Sequence, residues 1–447
     1  MFFRGDTREQ KAWYFYDWAN SAYITTTTTV LFGPYLTSVA ANSVGCEDST
    51  ECDATVSLLG LPVAPGSLFL YLVTITTLFS AFLLPLIGAY ADVRHDKQKL
   101  MAKFAWVGAA AAAAMFFVQG TNWQLGAVLL IIANLCMGAS LVVYDALLID
   151  IATPDERDRV SSRGWGVGYL GGGLLLIVNL GLYLGAPADF TEMAVRISLL
   201  SAGLWWGLWT FVPYLRIKNT AAAPSSDVTV KALARNSFAQ LAKTLRELTH
   251  FKQTRLFLLA YLFYNDGVQT VIAAASIYGS EELKLTQTDL VGAIVIVQIV
   301  AIVGSLVTGR LAERIGAYRT VRNSLVIWTV VIVAGYLVPA EKALLFYALA
   351  AAIGFVLGGT QALSRSLFSQ LVPRAREAEY FALYQACERG TSWLGTLIFG
   401  LIYQLSGSYR PAILALIAFF VVGGWLLMKV DIKRGIVEAG NEVPATL

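Results

Sequence analysis

The chain has 447 residues, enough for two or three soluble domains, yet 57% of them are hydrophobic and only 14% charged, against roughly 25% charged in soluble domains. Mean hydropathy is +0.62, and the net charge of +3 says little about partners because the position of the charges matters more than their sum. No basic patch carries the aromatic interleaving of a nucleic-acid binder, so a soluble enzyme and a nucleic-acid-binding module are both excluded.

Met1 to Lys11 is too polar for a signal peptide, and the apolar segment after it is too long for an h-region, which predicts an uncleaved first helix. In all, twelve apolar spans are predicted, at roughly 12–40, 68–90, 100–119, 125–151, 161–184, 194–215, 256–279, 289–309, 319–338, 344–371, 380–404 and 410–428. Each approaches or exceeds the ~20 residues that cross a bilayer as a helix. With both ends in the cytoplasm, 27 of the 33 Lys and Arg residues lie in cytoplasmic segments. Only Arg196, Lys284, Lys342 and Arg410 lie outside, and the positive-inside rule fixes this orientation. The lipid bilayer is therefore the first expected partner.

Cys136 and Cys387 fall inside spans and read as packing residues. Cys46 and Cys52 share an acidic outer loop, where a disulfide is compatible with an oxidising compartment. The segment 216–255 is the one long polar stretch and divides the chain into six-span bundles, 1–215 and 256–447. Within it, Val230, Leu233, Phe238, Leu241, Leu245 and Leu248 recur near helical spacing, which predicts an amphipathic helix on the cytoplasmic face, serving as a tether.

The two bundles repeat each other. Gly88-Ala-Tyr-Ala-Asp92 matches Gly309-Arg-Leu-Ala-Glu313-Arg314; Gly138 to Pro154 matches Gly358 to Pro373; and Phe15-Tyr16-Asp17 matches Phe263-Tyr264-Asn265. Two parallel six-helix repeats around a linker describe the major facilitator architecture. The Gly88–Asp92 turn and its second copy resemble the signature loop of that superfamily, although Val93-Arg94-His95-Asp96 stands where a tighter basic-glycine turn is usual.

Four strings narrow the resemblance: Trp13-Tyr-Phe-Tyr-Asp17-Trp-Ala-Asn20-Ser21-Ala, Ser162-Arg-Gly-Trp-Gly-Val-Gly-Tyr-Leu-Gly-Gly173, Tyr264-Asn-Asp266-Gly-Val-Gln269-Thr and Gly358-Gly-Thr-Gln361-Ala-Leu-Ser-Arg365-Ser-Leu-Phe. Together they resemble the bacterial relatives of the fungal vacuolar amino-acid effluxers. The resemblance implies a secondary transporter in a bacterial plasma membrane, working as a monomer on a small-molecule substrate, with amino acids as the substrates of the fungal members.

A charge within the bilayer costs several kcal/mol unless paired or wetted, and marks a functional site by default. Asp17, Asp145, Asp150, Asp266, Arg365, Glu388 and Arg389 qualify. In the facilitator fold, spans one, four, seven and ten line the cavity. Asp266, ten residues and about 15 Å into span seven, is the expected substrate or proton site, with Tyr264, Asn265 and Gln269 beside it; the alternative is an internally satisfied polar cluster. Asp145 and Arg365 occupy corresponding positions on spans four and ten. They are expected to close a gate or to clamp a zwitterion, against a static ion pair. Asp17, Asn20 and Gln361 complete the substrate or coupling set.

Gly88, Asp92, Gly309, Glu313 and Arg314, with Glu388 and Arg389 on span eleven, are expected to form a conformational lock, Asp92 being the candidate partner of Arg389. Asp150 reads as an anchor. Of Thr25 to Thr29, one or two must face the cavity, and the others bond the preceding turn and bend the helix. Gly166-x-Gly168-x-x-Gly171 matches a dinucleotide fingerprint, but no strand precedes it. Gly164, Gly168 and Gly172 instead allow close helix packing, expected at the contact between moving halves. With no phosphate-binding loop, no metal-ligand spacing and only His95 and His250 as histidines, neither an enzyme nor a bound cofactor is expected. The rival readings are an exporter of lipid-like or drug-like molecules, a passive uniporter, and a membrane sensor or assembly partner that does not transport.

Overall fold

The computed structural model describes residues 3–46, 54–94, 96–218, 237–390 and 392–447. Ten helices are long and apolar enough to cross a membrane, from Pro65–Asp92 to Tyr409–Met428. The other two expected spans are also helical. Span one runs as Arg8–Ala22, a π-helical stretch Tyr23–Leu31, and Phe32–Ser43. Span eleven runs as Glu377–Gly390 and Ser392–Ser406, with residue 391 outside the described set. The fold is an all-α membrane bundle of the facilitator type. An addition the sequence did not predict is a small antiparallel hairpin in the loop after span one, Val56–Leu58 with Leu61–Val63.

Local chemistry sets the helix ends. Thr7 and Gln10 form a capping box at the start of span one, as Thr286 and Asp289 do for span eight, each satisfying two otherwise orphaned N–H groups. Span eight, Gln287–Ile315, reaches a mean hydropathy of 2.7 over a window only 28% buried. An apolar helix in which few residues are fully buried is suited to lipid, not to a soluble core. Gly316, at φ +90°, then turns the chain into span nine.

Three expectations are settled by packing. Gly168, Gly171 and Gly172 face span one of their own bundle, whereas Gly164 faces both span one and Arg365 of the other half. Side chains there would collide with Asp17, Ser21, Trp18 and Thr25 of span one, so the glycine face welds spans one and five within the first bundle; Gly166, beside Ser305, and Gly173, beside Gln298, face span eight. The threonine run behaves in mixed fashion. Thr25 bonds the Ser21 carbonyl at 2.6 Å, while Thr28 and Thr29 bond that of Ile24 at 2.7 and 2.9 Å; Thr26 and Thr27 are buried without partners. Cys46 is disulfide-bonded, Cys136 and Cys387 are not, and Cys52 lies outside the described residues.

Of the linker, Val230 and Leu233 lie outside the described residues. Ser237–Leu248 is a helix whose Thr244 hydroxyl bonds Glu379 and whose Glu247 pairs with Arg376. After span twelve, a short helix, Ile432–Glu438, leads into an extended tail. Asn441 Nδ2 donates to the carbonyls of Gln370 and Val372 at 2.9 and 2.8 Å, and the Ala445 N–H donates to Asp155 Oδ1 at 2.6 Å. The tail thus touches span ten and the loop before span five at once.

Candidate functional site

The bonds joining the first six spans to the last six gather at the arginine- and lysine-rich end of the bundle, called the basic end below, and in a knot just inside it. At the basic end, the Arg157 guanidinium donates to the Ser369 carbonyl at 3.0 Å and to Gln370 Oε1 at 3.2 Å, Gln370 Nε2 donates to the Pro154 carbonyl at 2.8 Å, and Ser366 bonds Asp158. Lys97 lies between Asp150 at 3.3 Å and Glu377 at 3.6 Å, so Asp150 anchors a cross-half contact.

The signature-loop residues are placed at this seam with different partners from those expected. Asp92 accepts the backbone N–H groups of Ala378 and Glu379 at 2.8 and 2.9 Å. A carboxylate at the first turn of Glu377–Gly390 satisfies free donors and the positive end of the helix dipole; Arg389 is not its partner. Ten residues separate Glu379 from Arg389, about 15 Å along a helix. Gly88 packs on the same turn, where a Cβ would lie 2.4 Å from the Ala378 carbonyl oxygen. At the equivalent place in the second repeat, Gly309 abuts Ser162, whereas Glu313 and Arg314 are exposed.

The knot centres on Arg365, which is 3% exposed. Its Nη2 lies 3.2 Å from Asp17 Oδ2 and its Nη1 3.3 Å from Asp145 Oδ1. Its Nε donates to Ser161 Oγ at 3.0 Å, and Nη2 also reaches the Ser161 carbonyl at 3.2 Å. The guanidinium carbon stands 4.7 Å from the ring centroid of Trp13 and 5.4 Å from those of Tyr144 and Trp165. A planar, weakly hydrated cation suits such an aromatic surround better than an ammonium. Beyond Asp145, Gln385 Nε2 donates to Asp145 Oδ2 at 2.8 Å and to Glu388 Oε2 at 3.2 Å, while its Oε1 accepts from Arg389 Nε at 3.2 Å. Glu388 and Arg389 therefore belong to the central network rather than to the signature loop.

Span seven sends three consecutive residues in three directions. Tyr264 bonds Ser364 on span ten at 2.7 Å. Asn265 donates to the Glu388 carbonyl at 3.1 Å and accepts from Gln361 at 3.4 Å. Asp266 is fully buried, its Oδ2 accepting the Gly395 N–H at 3.0 Å. Where the sequence suggested a cavity-facing group, the structure places a carboxylate against the start of the second half of span eleven. Gln269 is half-buried on the same helix, and Asn20 satisfies itself on the Tyr16 carbonyl at 2.7 Å. Removing the carboxylate in Asp266→Ala strands a buried N–H, which costs ~1–3 kcal/mol. The expected outcome is a lower unfolding temperature, with Asp266→Asn close to wild type in both stability and transport. Loss of transport in a stable Asp266→Asn protein would return this residue to the substrate path.

Sequence reasoning missed Ser161, Gln385, Tyr144 and Trp165. All are uncharged, and nothing in a single sequence separates them from ordinary packing residues.

An all-α membrane bundle closed around a buried charge knot has the architecture of the major facilitator class. Solved structures agree on the fold: a double-tryptophan variant of XylE aligns with a TM-score of 0.69 at 12% identity over 97% of this chain and 98% of that one, and the human organic anion transporter MFSD10 with 0.66 at 14% over 94% and 99%. The chain belongs to the vacuole effluxer Atg22-like family, which it matches over residues 5–440. Among relatives, the MFS-type transporter YxiO of Bacillus subtilis is 31% identical, the alignment covering 98% of this chain and 99% of that protein. Autophagy-related protein 22 of Kluyveromyces lactis is 26% identical over 97% and 95%.

Proposed function

We propose that this protein is a secondary transporter that moves a small polar solute, a neutral amino acid in the first instance, across a bacterial plasma membrane by alternating access. One observation carries the reading. Arg365, from the second bundle, is buried among Asp17, Asp145 and Ser161 of the first. Such a contact forms and breaks as the halves rock. The charge rule puts the basic end and both termini in the cytoplasm, so the arrangement is read as a state closed to the cytoplasm. Residues 1–215 and 256–447 act as the rocking bodies, joined by 216–255. A single chain supplies both halves of the knot, in keeping with a monomer. The family's description as a vacuole effluxer supports transport, and amino acids are favoured by the resemblance to the fungal amino-acid effluxers and by the pairing of acidic and basic groups in one network.

Protons remain the proposed coupling ion. With Asp266 tied to Gly395, the coupling role passes to Asp145, whose carboxylate faces Arg365 on one side and Gln385 on the other. Counterflow into proteoliposomes loaded with mixed amino acids tests the reading. Accumulation of at least one labelled amino acid is expected, reduced about tenfold or more in Asp145→Asn, since a tenfold effect corresponds to only ~1.4 kcal/mol. An imposed pH gradient then separates coupled transport from uniport. No counterflow for any amino acid with folded protein removes that substrate class and favours a lipid-like or drug-like cargo.

A further inference from the structure

The surround of Arg365 is built entirely from the first bundle. Trp13 stacks on Tyr144 at 4.3 Å between centroids and 12° between planes, and its indole N–H donates to the Tyr144 carbonyl at 2.9 Å. Gly164 leaves no side chain in the gap, where a Cβ would lie 2.7 Å from both Asp17 Oδ2 and Trp13. Spans one and five, which carry Asp17, Trp13, Ser161 and Trp165, are welded by their glycine contacts. The cage residues thus sit on first-bundle helices packed against one another, and of its two carboxylates only Asp145 is also held by a second-bundle side chain besides Arg365, that of Gln385.

Once Arg365 leaves, two carboxylates facing three aromatic rings need compensation, which a proton on Asp145 supplies in part and a cation supplies more fully. Two unpaired buried carboxylates are strongly unfavourable, and ring faces at this distance favour cationic groups. We propose that this cage is the binding site for the ammonium group of the transported solute, and that Arg365 is its internal competitor. While the basic end is closed, the guanidinium fills the cage; as the halves part, the solute's ammonium takes the vacated place. The inference rests on the transport reading and gives it a chemical requirement: the cargo carries a cationic nitrogen, whatever its other end.

The test uses purified full-length Arg365→Ala and Arg365→Gln, the second retaining bulk and hydrogen-bonding groups should the first fail to fold. Thermal unfolding is followed against millimolar methylguanidinium, 3-methylbutylamine and 3-methylbutanoate, the last two sharing a carbon skeleton but not a charge. Both cations are expected to raise the unfolding temperature saturably, and the carboxylate is not. Adding Asp17→Asn or Trp165→Leu should weaken the cation effect about tenfold, the scale of a desolvated cation–π contact. Wild type, with its cage filled, should respond least. Absence of saturable stabilisation in both variants, or an equal effect of the carboxylate, overturns the proposal. The transport reading fails separately: cation binding without counterflow supports the cage and rejects the carrier, whereas counterflow without cation binding does the reverse.

Discussion

Arg365→Ala is expected to lower counterflow at least a hundredfold, and Arg365→Lys is expected not to restore it. Removing one partner of a buried pair costs ~3–5 kcal/mol because the other stays uncompensated, and here two carboxylates, Asp17 and Asp145, are left behind. At ~1.4 kcal/mol per decade, that is roughly two to four decades in the population of the closed state. Lysine brings a charge but one nitrogen, so it cannot hold both carboxylates and the two Ser161 oxygens at once. Initial rates of labelled substrate uptake, normalised to folded protein, decide the point. Rates above half of wild type in Arg365→Ala would show that the knot is ornamental to transport.

Gly88→Ala is expected to hold the basic end open. The added Cβ would lie 2.4 Å from the Ala378 oxygen, 2.7 Å from its carbonyl carbon and 2.7 Å from Glu379 Cα. All three are backbone atoms, which cannot swing aside as a flexible side chain does, and Asp92 pins the same turn through two N–H groups. Overpacking of this kind costs ~1–3 kcal/mol, a 5- to 150-fold shift of a two-state equilibrium. Val372, 1% exposed at the basic end, offers the readout: replaced by cysteine in a background lacking Cys136 and Cys387, it should react with a small maleimide correspondingly faster when Gly88 is alanine. Equal rates would mean that the span two to span eleven contact is not what limits opening.

Much of this arrangement is legible in the residues alone. The apolar spans, the charge asymmetry and the internal repeat all announce the architecture, because membrane insertion writes its requirements as runs and counts. The Asp145–Arg365 contact was suggested by opposite signs at symmetry-related positions, and the two lie 3.3 Å apart. Azimuth is what the sequence withholds. Depth along span seven follows from residue count, but each residue turns about 100°, so Tyr264, Asn265 and Asp266 meet three different neighbours, and the one with the charge faces away from the knot. Asp17 was a candidate on chemistry; that it shares a guanidinium with Asp145 depends on the glycine weld between spans one and five. Gln385 and Ser161 carry no charge, so their roles exist only in three dimensions. The π-helical stretch Tyr23–Leu31 falls on the threonine run, where the sequence predicts a bend.

The tail beyond span twelve sets a length. Asn441 is fastened to the span ten side and Ala445 to Asp155 on the other side of the seam. Four residues lie from one fastening to the next, and a fully extended chain covers at most about 3.3–3.6 Å per residue. The leash is therefore some 14 Å long at full stretch. Separations of the basic ends within that reach leave both fastenings intact, with the slack drawn out of the chain; wider ones require Asp155 to let go.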